Sequence, residues 1–134
     1  MFKRNIVYML AIVSFHHIAH AAPTGEKVAV CYIFKGDKII NHSPCILSTG
    51  YGAGGTYESM QIGKKSYEAE TQICYDKKSD NNIECGISLN GKDATYYHRN
   101  LFYNKIDDIK LINSDSLSCY ITKDKTTDIC IKRN

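Results

Sequence analysis

The sequence predicts an all-β domain, a small disulfide-stapled antiparallel meander of seven to nine strands closed as a sandwich or small barrel. Three observations predict it. All six cysteines, Cys31, Cys45, Cys74, Cys85, Cys119 and Cys130, lie beyond residue 21. Three of them open a Cys-Tyr pair, followed by a polar stretch that turns over Gly, Asp, Asn or Lys and reaches a second cysteine, the pattern of a β-hairpin. The segments between are rich in β-branched and aromatic residues and are punctuated by glycine.

Residues 1–21 read as a secretory signal peptide. Lys3 and Arg4 form its basic start, Ile6 to Phe15 its apolar run, and Ala19 and Ala21 the small residues at −3 and −1. Cleavage is expected between Ala21 and Ala22. The apolar run is too short to span a bilayer, which takes about 20 residues, and no membrane anchor is expected after cleavage. Residues 22–134 then form one domain, long enough to bury a core that the disulfides supplement.

Taken in order, Val28 to Phe34 alternates as a strand. Thr56 to Ile62 and Ser66 to Ile73 flank a turn at Gly63-Lys64-Lys65. Gly86 to Leu89 and Asp93 to His98 flank Asn90-Gly91, the strongest short hairpin signal in the chain. Asn100 to Ile112 reads two ways. Phe102, Ile106 and Ile109 share a helical face after an Asn100 cap, while Ile109-Lys110-Leu111 also suits the start of a strand. The Cys-Tyr pairs recur at intervals of 43 and 45 residues, a weak hint of a repeat, since the segments between match poorly.

An even cysteine count in a short exported chain points to disulfides, and no C-x-x-C pair exists to hold zinc. Residues facing each other across a hairpin lie near disulfide range, which favours Cys31–Cys45, Cys74–Cys85 and Cys119–Cys130. Loops of this length nominally contribute about 3 kcal/mol each by chain entropy.

Charge excludes some partners. The full chain carries 17 basic and 14 acidic residues; Lys3 and Arg4 leave with the signal, so the mature domain has 15 against 14. That balance gives no electrostatic reason to expect nucleic acid or an anionic membrane. Gly50, Gly52 and Gly55 formally satisfy G-x-G-x-x-G. The following segment reads as a hairpin rather than the helix that a dinucleotide site requires, so no cofactor is expected. Asn41-His42-Ser43 formally matches a glycosylation acceptor, with Pro44 directly after it working against its use.

Two groups of residues are candidates for binding. Tyr51, Gly52, Gly54, Gly55 and Tyr57 form a glycine-rich loop with aromatic anchors. Tyr96, Tyr97, His98 and Arg99 form the densest aromatic and polar cluster. The expected function is an exported, periplasmic or extracellular, binding protein that blocks another protein, such as a cell-wall hydrolase or a toxin. In size and export it resembles the small periplasmic lysozyme inhibitors, a resemblance of format that carries over no functional residue. Two alternatives stand beside it. One is a small secreted hydrolase or nuclease working through His98, with His42 and a cation such as Arg99 as partners. The other is a structural protein of the cell envelope.

Overall fold

The computed structural model describes residues 22–52 and 54–133; the expected signal peptide, its cleavage point and Ala53 lie outside the described residues. Eight strands run in chain order: β1 (Ala22–Lys35), β2 (Lys38–Gly52), β3 (Gly55–Ile62), β4 (Lys65–Asp76), β5 (Asn81–Leu89), β6 (Lys92–Arg99), β7 (Leu117–Thr122) and β8 (Asp128–Lys132). Each pairs antiparallel with the next, and β8 returns to pair with β1 between Val30–Lys132 and Ile33–Ile129. The expected meander is therefore a closed barrel, and closure removes the edge strands that an open sheet exposes.

Alternation fixes what faces inward. Ala29, Cys31, Cys45, Leu47, Met60, Ala69, Leu89, Ala94, Tyr120, Ile129 and Ile131 form one buried cluster, the barrel core. Eight strands leave an interior just wide enough for such side chains to fill. A second cluster lies on the other face of the wall, where Phe34, Leu117, Cys119 and Cys130 are covered by Tyr32, Ile39, Tyr97 and Tyr103.

Three disulfides join Cys31 to Cys45, Cys74 to Cys85 and Cys119 to Cys130. Direct facing holds for one of them. Cys119 pairs with Cys130, whereas Cys31 faces Ser43 and Cys45 faces Ala29. The Cys31–Cys45 bond thus runs diagonally, and its Cα atoms are 5.8 Å apart against 4.0 Å for Cys119–Cys130. At Cys85 a register shift between Gln72 and Ile73 displaces the pairing by a residue.

Asn90-Gly91 turns β5 into β6 with φ of 50° and 75°. Both central residues at positive φ make the twist-matched hairpin turn that this dipeptide favours.

Segment 100–116 is neither of the elements expected of it. It contains one 3-10 turn, Ile109–Leu111, capped by Asp108, and Phe102 and Ile109 are exposed rather than buried on a shared helical face. Asn100 does use its side-chain oxygen locally, accepting from the amides of Phe102 and Asn104 at 2.9 and 3.1 Å. Tyr103 then takes φ +68°, which stops a helix from propagating. Among the described residues no helix is long and apolar enough to cross a membrane.

Candidate functional site

An up-and-down barrel sorts its connections between two ends. The β1–β2, β3–β4, β5–β6 and β7–β8 turns lie at one end; the β2–β3 turn, the β4–β5 tip and the long β6–β7 connection lie at the other. The second end carries exposed Tyr51, Ile73, Tyr75 and Ile83.

Two features shape it. In the β2–β3 turn, Gly52 pairs with Gly55 and Tyr51 with Thr56, and the Tyr51 ring stands 57% exposed. These are antiparallel strands, so the glycines lack the strand-to-helix setting of a dinucleotide site. Gly55 has a backbone reason of its own: φ is +151°, and a Cβ there would meet the Thr71 carbonyl oxygen at 1.9 Å. The β4–β5 hairpin supplies the other feature. β5 pairs with β6 only through Ser88–Asp93 and Leu89–Lys92, and β3 pairs with β4 no further than Gln72. Residues beyond that point stand off the barrel as an arm, fastened by the exposed Cys74–Cys85 bond and carrying exposed Ile73, Tyr75 and Ile83. The Ile73 amide donates to the Gly54 carbonyl at 2.9 Å, tying arm to turn. A groove of about 430 Å³ runs between them, lined by both and by Tyr57.

Beside it the barrel mouth opens as a cavity of about 290 Å³. Its floor is an ionic network. Buried Glu58 accepts from the Tyr120 hydroxyl at 2.8 Å and from Arg133 Nη2 at 2.8 Å. Burial, and then the adjacent Glu58 carboxylate, push the Tyr120 phenol well above its ordinary range. Tyr51, Tyr57 and several threonines form the rim.

The second candidate group is divided by the wall of the barrel. Tyr96 and His98 share the inward face with Ala94; their rings meet edge-on at 4.9 Å, and Tyr96 leans on Tyr120 at 5.2 Å. Burial and then the Arg133 charge lower the His98 pKa. Tyr97 and Arg99 point the opposite way, into the second core.

Arg99 is fully buried, and its guanidinium lies 4.1 Å from the centre of the Phe34 ring. All five of its N–H groups are matched. Nε donates to the Tyr97 hydroxyl, Nη1 to Asp37 and the Tyr103 carbonyl, and Nη2 to the Gly36 carbonyl and Asp128, at 2.8–3.2 Å. Tyr97 in turn donates to Asp128 at 2.6 Å. Arg99 therefore clamps the β1–β2 turn, β8 and the long connection together, and has no surface left for a partner.

The two histidines of the acid–base scheme are not brought together. His42 stacks on Tyr32 at 5.9 Å, on the outer face, while His98 faces inward. Glu58 is held by Arg133 and Tyr120, and the side-chain hydrogen bond of His98 is to Tyr96 at 3.2 Å. No group of three His, Cys, Asp or Glu residues able to hold a metal occurs among the described residues.

Sequence reasoning missed the arm and the long connection. Leu101, Phe102, Ile109 and Leu111 are 54–84% exposed on that connection. The helical spacing of Phe102, Ile106 and Ile109 pointed to burial instead, and the segment forms only the Ile109–Leu111 turn. Comparison with family models, curated proteins and solved structures finds no match to this chain.

Proposed function

We propose that this is an exported binding protein that blocks a protein partner, in the manner of an inhibitor of a cell-wall hydrolase or of a toxin. Its contact surface is the end of the barrel that carries Tyr51 and the β4–β5 arm. One observation carries the reading: exposed Tyr51, Ile73, Tyr75 and Ile83 sit on a turn and an arm that are hydrogen-bonded to each other and held by a disulfide. Aromatic side chains give large contact area at low entropic cost, and a rigid support lowers the ordering penalty on docking. Three disulfides suit an oxidising compartment, which fits export.

The test is affinity capture from envelope and secreted fractions with the oxidised protein, repeated with Tyr51→Ala and Tyr75→Ala. A partner retained by the native protein should be lost or weakened by about 1–2 kcal/mol in either variant. The melting temperature should stay within a few degrees, because both rings are exposed. Equal retention by all three proteins would place the contact elsewhere.

A further inference from the structure

The opposite mouth of the barrel has a different chemistry. Ile33, Ile62 and Tyr67 pack against the barrel core from that end and form the floor of a cavity of about 880 Å³. That volume falls in the range of small-molecule sites. Its rim is basic: Lys35, Lys64, Lys65 and Lys125 line the opening. The turns explain why they meet there. Lys64 and Lys65 close β3 onto β4, Lys125 lies in the β7–β8 turn, and Lys35 ends β1, facing Lys38 directly across the hairpin.

None of these four lysines makes an ion pair among the described residues, and the carboxylates nearby are already engaged. Asp128, which also lines the cavity, is bound by Arg99 and Tyr97. Asp37 is bound by Arg99, and Asp124 by Lys92 and Thr126. Four uncompensated ammonium groups around an opening attract an anion. A small hydrated anion would leave the Ile33, Ile62 and Tyr67 floor against water. A neutral apolar molecule would leave the lysines without a counter-charge.

We infer that this mouth binds a single-chain anionic amphiphile, a long-chain carboxylate whose head meets the lysine rim and whose alkyl chain covers the apolar floor. The site lies at the far end of the barrel from Tyr51, so ligand and protein partner would occupy separate surfaces. The inference does not depend on the proposed partner contact.

The experiment is titration calorimetry of the oxidised, exported protein with octanoate, decanoate and dodecanoate below their micellar concentrations. Acetate and 1-decanol are the head-only and tail-only controls. The same titrations use Lys64→Gln/Lys65→Gln/Lys125→Gln, whose three side chains are exposed and whose melting temperature is checked first. Saturable one-to-one binding is expected, tightening with chain length by up to about fourfold per methylene. The triple variant should bind decanoate at least tenfold more weakly and decanol unchanged, and Tyr51→Ala should bind decanoate as the native protein does. Absence of saturable dodecanoate binding, equal binding by the triple variant, or acetate competing as well as decanoate would overturn the inference.

Discussion

Arg99 shows how much of the fold can depend on a single residue. Its partners come from positions as far as 63 residues away, Gly36 among them, and from three separate parts of the chain. Replacing it with alanine leaves Asp128 buried without its cation and the Tyr97 hydroxyl without its donor. We expect a loss of about 3–5 kcal/mol in urea unfolding, the cost of breaking a buried pair from one side. Arg99→Lys should recover only part of it, because an ammonium has three donors where five are used. Full recovery by lysine would show that charge, and not the guanidinium fork, holds the clamp. His98 gives a pH signature. Its folded-state pKa is lowered by burial and by Arg133, so the unfolded chain takes up the proton first. Stability from this group is fully present above the ordinary histidine value of about 6.5 and declines as pH falls through it. Melting temperatures between pH 7.5 and 5 should fall with acidification, and His98→Gln should flatten that slope. An unchanged slope in the variant would assign the titration elsewhere.

Two hairpins permit a controlled comparison. Cys74–Cys85 and Cys119–Cys130 each span 11 residues, so chain entropy alone gives them nearly equal worth, about 3 kcal/mol. They differ in surroundings: Cys119 and Cys130 are fully buried in the second core, and Cys74 and Cys85 are exposed on the arm. Reductant should open Cys74–Cys85 first, read by partial alkylation and peptide mapping, because thiol exchange requires access. Replacing both cysteines of the buried pair with serine should cost more stability than the same change on the arm. The hairpins themselves were legible in the sequence because their signals are local. Cys-Tyr units, β-rich alternation and Asn90-Gly91 each act within about a dozen residues. Segment 100–116 was not legible for the converse reason. Its form is set by Tyr103 at positive φ, by the Asn100 side chain, and by contacts with Arg99 and with Lys132, which donates to the Ser114 carbonyl. Helical spacing of Phe102, Ile106 and Ile109 carries no information about those contacts.

Across the whole molecule, closure of β8 onto β1 converts a local pattern into two unlike ends, one carrying the exposed Tyr51 turn and the arm, one rimmed by lysines. Alternation predicts that a strand has two faces. It puts adjacent residues such as His98 and Arg99 on opposite sides of the wall, but it does not say which side becomes the lumen. Of the candidate site, the Tyr51 turn was visible as composition, glycines around an aromatic ring. The arm was not, because it exists only where β5 stops pairing with β6 after two residues. The measurement that tests the central claim most directly is hydrogen–deuterium exchange of the oxidised protein, free and saturated with its captured partner. New protection is predicted across residues 51–57 and 72–85, with the basic mouth around Lys64, Lys65 and Lys125 unchanged. Protection confined to the basic mouth or to the outer faces of β1 and β2, with the turn and the arm exchanging as in the free protein, would contradict the account.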